Sequence, residues 1–151
     1  MPRLHETIET SLPLQDTFAY IADFATNEEW DPNTVSAVRV GDGPVGTGAR
    51  YDLVVKMGSG TIPMQYTIEA YEPDRRVVLR GVGKDIVATD DIRFAPTDDG
   101  GTRVDYVADI ELKGWKGLLT PSLGGAFRKI GQGARDGMTE ALAERARTTA
   151  R

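Results

Sequence analysis

The chain has no cysteine and a single histidine, His5. That removes disulfide frameworks, thiol nucleophiles and Cys-based metal sites. It also leaves too few ligands for a transition-metal centre. His5 alternates with Leu4 and Ile8, so it belongs to the polar side of its segment and is expected at the surface, not beside a serine in a Ser-His-Asp arrangement. No apolar run approaches the roughly 18 residues that span a bilayer. MPRLHETIET at the start has no apolar core of a secretory signal, so a cytoplasmic protein is expected. Positive charge is scarce as well: 18 Lys and Arg stand against 23 Asp and Glu, for a net charge of −5. Nucleic acids and anionic membranes attract clustered Lys and Arg, and no basic block is present. Neither nucleic acid nor integral membrane association is therefore expected. The glycine-rich GDGPVGTG is followed by no Lys-Ser/Thr, so it is no phosphate-binding P-loop. Nothing in the pattern asks for a cofactor.

What is present is a folded chain of 151 residues, 40% hydrophobic and 27% charged, a length that fits one domain, 1–151. Residues 3–10 alternate as a strand does. Pro13 then opens a helix whose apolar stripe is Leu14, Phe18, Ile21, Ala22 and Ala25. Thr26-Asn27-Glu28-Glu29 reads as a capping box for a second, short helix, stopped by Asp31-Pro32 because the residue before proline avoids the α region. From Thr34 the period becomes two, with strands expected at 34–40, 49–57, 62–71, 76–83, 86–95 and 102–113. The short links between them imply antiparallel hairpins. A helix from about Ala126 to Arg147 closes the chain, with Phe127, Ile130, Ala134, Met138, Ala141 and Leu142 on one face. The expected architecture is α+β: a seven-stranded antiparallel sheet curled around a long C-terminal helix, with two short helices between strands 1 and 2. Strand 1, separated from the rest by the helix pair, adds at a sheet edge.

Two stretches carry a family resemblance: SLPLQDTFAYIADFATNEEWDP at 11–32, ending in Trp30-Asp31-Pro32, and LKGWKGLLTPSLGGAFRKIGQGARDGMTEALAERA at 112–146. With this order of elements the chain resembles the START/Bet v 1-like (SRPBCC) superfamily, and within it the polyketide cyclase/dehydrase branch. The resemblance covers essentially the whole chain and implies a helix-grip fold. It also implies either a carrier or sensor of a hydrophobic small molecule or an enzyme of the cyclase/dehydratase kind. A fold does not choose between these.

Side chains alternate across a strand, so parity nominates the residues that face the interior. Tyr51 and Leu53, Tyr66, Ile68 and Ala70, Asp90 and Ile92, and Tyr106 and Ala108 fall on inward faces. On strand 76–83, Val77 and Leu79 compete with Val78 and Val82; the first set is favoured, and the second would bring Arg80 inside. Trp30 either lines the entrance or, as a position of the resembled family, plays a structural part, the second being favoured, and Phe127, Ile130 and Ala134 cover the cavity from the last helix. Asp90 and Glu6 are carboxylates on otherwise apolar faces. Burying a charge is costly unless it is paired, so each is read as a ligand anchor, as a general acid or base, or as a structural ion pair or outward edge position. Arg80 would polarise a carbonyl if it faced in. In GWKGLLTPSLGGAF at 114–127, Pro121 and Gly124-Gly125 frame Leu118, Leu119 and Leu123, a gate or a static plug over the cavity. Gly131, Gly133 and Gly137 sit in the first half of the last helix, where each costs roughly 1 kcal/mol relative to alanine. Close approach of a neighbour and space for a ligand are both open as reasons. The expectation is a protein, monomer or homodimer, that binds a lipid, polyketide or isoprenoid. The alternatives are a cyclase/dehydratase using Asp90 or Glu6, and a protein-interaction module.

Overall fold

The computed structural model describes residues 3–114 and 124–149. The elements run β1 (Arg3–Thr10), α1 (Leu14–Ala22), a 3-10 turn (Phe24–Thr26), α2 (Asn27–Trp30), β2 (Thr34–Val40), β3 (Arg50–Met57), β4 (Gly60–Glu72), β5 (Arg76–Gly83), β6 (Ile86–Pro96), β7 (Thr102–Leu112) and α3 (Gly124–Thr149). The seven strands form one antiparallel sheet in the order β1-β7-β6-β5-β4-β3-β2. β1 joins the edge beside β7, as its isolation by the helix pair requires. α3 packs on β1 and on α2. This is the expected helix-grip arrangement.

Two local expectations change. The capping box does not form: Thr26 donates its hydroxyl to the carbonyls of Tyr20 and Asp23, 2.8 and 2.9 Å away, and the carboxylate of Asp23 caps the 3-10 turn at the N–H of Ala25. A bulge between Ile68 and Ala70 shifts the register of β4 against β5. An extra residue reverses parity beyond it, so Tyr71 rather than Ala70 turns to the core, its ring 5.2 Å from that of Phe18.

Packing settles the ambiguous strand. Val77 and Leu79 are wholly buried, while Val82 is 43% exposed and Arg80 lies on the solvent face. Arg80 therefore points away from the interior and is withdrawn as a candidate. Either set buries two aliphatic side chains, but the one with Val78 and Val82 would also desolvate the guanidinium of Arg80, which is costly.

The core is densest under α1. The ring of Phe18 meets those of Tyr71 and Phe94 edge-on at 5.2 and 5.0 Å. Phe24 continues the cluster towards Tyr66 and Trp30, at 5.4 and 6.0 Å. Two glycines permit close approach. A Cβ on Gly81 would stand 2.4 Å from the ring of Tyr66, so this ring lies flat on the β5 backbone. A Cβ on Gly137 would stand 2.0 Å from the carbonyl oxygen of Trp30, so the glycine lets α3 cross the end of α2.

Candidate functional site

Beyond that packed end the inner face opens into a cavity. Its volume accessible to the centre of a water molecule is about 100 Å³, and all its empty space, mouth included, is about 920 Å³. Register explains the opening. Leu4 on β1 lies opposite Ala108 on β7, which lies opposite Asp90 on β6. In the next row Ile110 pairs with Ala88. Alanines thus stand beside Asp90 where larger side chains would have filled the space. Gly131 and Ala134 of α3 line the cavity from above, with Phe127, Ile130 and Met138 around them. Leu53, Val55, Met57, Met64 and Tyr66 contribute from β3 and β4.

Gly131, unlike Gly137, borders this space: a Cβ there would meet Leu4 and Glu6 at ordinary distances of 3.5 and 3.6 Å. Close approach of a neighbour is therefore the reason for the glycine at 137, whereas Gly131 lines the cavity. Gly133 would bring a Cβ to 3.4 Å of Pro32.

Four polar groups on the cavity wall, Asp90, Asp31, Tyr66 and Tyr106, lie close enough to influence one another. Asp90 is 5% exposed and accepts a hydrogen bond from the hydroxyl of Tyr106 at Oδ2. Burial pushes its pKa up to about 7; the hydrogen bond from Tyr106 works against this, and the charge of Asp31 adds to it. Asp31, which the sequence reading treated only as a helix stop, also lines the cavity. Burial raises it to about 6, against the hydrogen bond donated by the N–H of Asn33 to Oδ1 at 2.9 Å. Desolvation disfavours the charged carboxylate in both cases. The same burial, followed by the charge of Asp90, holds the phenols of Tyr66 and Tyr106 well above their ordinary range. Glu6 lines the cavity from β1 and receives Arg135 of α3 at 3.5 Å.

The structure therefore brings together Glu6, Leu53, Tyr66, Asp90, Tyr106, Ala108, Phe127, Ile130 and Ala134 from the predicted set. Five others do not line the cavity. Tyr51, Ile68, Leu79 and Ile92 are packed solid behind it, none more than 1% exposed. Trp30 takes its structural alternative: it is buried between Phe24 and Tyr106, its ring 6.0 Å from each. Parity assigns a side chain to the inner face but not to the hollow part of that face, which explains the excess. Leu118, Leu119 and Leu123 lie outside the described residues, and so does the gate. Asp31 and Asn27 were missed because they sit in a short irregular segment with no alternation to betray their direction. Their one signal was two polar residues bracketing a tryptophan that the fold buries. Among the described residues no group of three or more His, Cys, Asp or Glu is placed to hold a metal ion. No described helix is long and apolar enough to cross a membrane.

A sheet gripping a long helix, with a cavity between them, defines the START/Bet v 1-like class. The chain belongs to the family described as polyketide cyclase / dehydrase and lipid transport, whose model matches residues 1–147. Among solved structures it is similar to the Zhui aromatase/cyclase of a Streptomyces species, with TM-score 0.76, 12% identity, and coverage of 99% of this chain and 95% of that one. A START superfamily protein from Mycobacterium smegmatis gives TM-score 0.71 at 15% identity, covering 97% and 98%. A Thermus thermophilus protein gives TM-score 0.77 at 16% identity, covering 93% and 97%. At these identities the likeness is one of fold. No curated protein sequence matches the chain.

Proposed function

We propose that the protein binds a hydrophobic small molecule of lipid, polyketide or isoprenoid type in this cavity, with the ligand's polar end at Asp90 and Tyr106. The observation that supports this most directly is the composition of the walls. They are aliphatic and aromatic over most of their area, with a few polar groups, Asp90 and Tyr106 among them, set into the wall. Such a site removes apolar surface from water and orients it by a few placed hydrogen bonds. Native mass spectrometry of the protein purified from cells, followed by extraction, tests the reading. A bound apolar molecule of defined mass is the expected result. An apo mass, together with no uptake of added long-chain alcohols or terpenes, would sink it.

One observation favours an enzymatic reading as the alternative. A carboxyl that titrates near neutrality, hydrogen-bonded to a phenol, has the proton affinity suited to moving a proton at pH 7. In a cyclase/dehydratase Asp90 would exchange the proton and Tyr106 would hold the substrate oxygen. Asp90→Asn separates the two readings: it abolishes turnover in an enzyme and only tunes affinity in a carrier.

A further inference from the structure

The polar lining of the cavity is unbalanced in a way that bears on the ligand's chemistry. Three carboxyl groups reach it from three elements: Asp90 from β6, Asp31 from the segment after α2, and Glu6 from β1. Two cationic residues border the same space. Arg135 of α3 is taken up by Glu6 at 3.5 Å and by Asp136 at 3.1 Å, and Lys56 of β3 is exposed. The phenol of Tyr106 on β7 is committed to Oδ2 of Asp90. That leaves Tyr66 of β4, also on the cavity wall, as the remaining phenol. Oδ1 of Asp90 and Oδ2 of Asp31 receive no hydrogen bond from any described residue. The lining thus carries three carboxyl groups, while its neutral donors are the Tyr66 hydroxyl and the side-chain amides of Asn27 and Asn33. A ligand group that donates to such a carboxylate oxygen is favoured.

We infer that the cavity selects amphiphiles whose polar end donates a hydrogen bond, an alcohol, a phenol or an amine, and rejects carboxylates such as fatty-acid anions. The inference rests on the binding reading above and narrows its ligand class. A hydroxyl or an ammonium group supplies the donor that Asp90 and Asp31 lack. A carboxylate adds a further negative charge beside two acids in a place of low dielectric, where like charges strongly disfavour each other. An ammonium end pairs best with Asp90 in its ionised form, so its affinity rises with pH through the titration of Asp90 and Asp31. A carboxylic acid enters only with protons that neutralise the cluster, so its affinity falls over the same range. An alcohol, uncharged throughout, changes little.

Decanol, decylamine and decanoate share one chain length and differ at the polar end. Their affinities are measured by titration calorimetry below micelle-forming concentrations, at about pH 5 and about pH 8, on either side of the two acids. At the higher pH the amine and the alcohol are expected to bind about tenfold or more tightly than decanoate. Lowering the pH is expected to weaken the amine and strengthen the acid. Asp90→Asn and Asp31→Asn, each checked for native circular dichroism, are expected to raise decanoate affinity at the higher pH and to blunt the preference for the amine. If Asp90→Asn fails to fold, Asp31→Asn and the pH series on the unaltered protein carry the test. Decanoate binding as tightly as decanol at the higher pH overturns the selectivity while leaving the binding reading intact. So does a decanoate affinity that neither folded variant changes. Failure of all three probes at both pH values brings down the binding reading and this inference together.

Discussion

The two ends of the sheet's inner face are built on the same strands and packed in opposite ways. Under α1, β6 presents Ile92 and Phe94, and rings from Phe18 and Tyr71 fill the space to contact. A few residues earlier on β6, Ala88 and Asp90 face Ile110 and Ala108 of β7, and α3 answers with Gly131 and Ala134. One end spends its side-chain volume on density, which is where a small domain gets stability. The other withholds volume, keeps a carboxyl in the gap, and gives up packing and solvation to do so. Dense packing and open space are thus segregated along the strands of one sheet.

The largest expected effect tests this segregation directly. Phe94→Ala should cost about 3–5 kcal/mol, the usual loss for a buried ring. Ala108→Leu, which adds volume beside Asp90, should change stability by less than about 1 kcal/mol and block ligand uptake. Urea unfolding and a ligand-binding assay on both variants check the pair. Equal losses of stability would mean that the hollow end is simply core.

The next effect comes from the carboxyl in the gap. Its folded-state pKa of about 7 lies above the ordinary value of 3.8. A group raised in this way binds its proton more tightly in the folded state. Its contribution to stability is therefore full below the unfolded pKa and is lost as pH rises through the folded one. Asp90→Asn removes that loss. At about 1.4 kcal/mol per pKa unit, the variant should be more stable than the parent by about 2–4 kcal/mol above neutrality, and by little near pH 4. Thermal melts across this range should show the difference growing between those limits. A difference independent of pH would mean that Asp90 is not desolvated.

The two glycines of α3 sharpen the comparison at smaller scale. Gly137→Ala meets the Trp30 backbone and should destabilise by about 1–3 kcal/mol. Gly131→Ala makes only ordinary contacts, with Leu4 and Glu6 at 3.5 and 3.6 Å, so it should stabilise by about 0.5–1 kcal/mol through helix propensity. Opposite signs in chemical denaturation support the placement of the hollow end. Two losses would argue against it.

Much of this was legible in the chain. Periods of two and of 3.6 placed every strand and both long helices within a few residues, and parity put Asp90, Tyr106 and Ala108 on one face. Parity also had clear limits. It carried Arg80 as an inward alternative until burial of Val77 and Leu79 turned it to solvent. It followed β4 through a bulge it could not see and so missed Tyr71. It treated Tyr51, Ile68, Leu79 and Ile92 as equals of Leu53 and Tyr66, although only the latter two border a space. Asp31 had no periodicity at all.

The amino-acid sequence by itself determined the order of elements, the antiparallel pairing and the side of each regular strand that is apolar. These follow from backbone geometry and from the short range of turns and alternation. The tertiary structure alone decided where the inner face is solid and where it is hollow, because that depends on volumes meeting across β1, β6, β7 and α3. It also decided that Asp31 and Asp90 share one buried space. Desolvation and the nearness of two charges are properties of the assembled cavity, and no local stretch of sequence carries them.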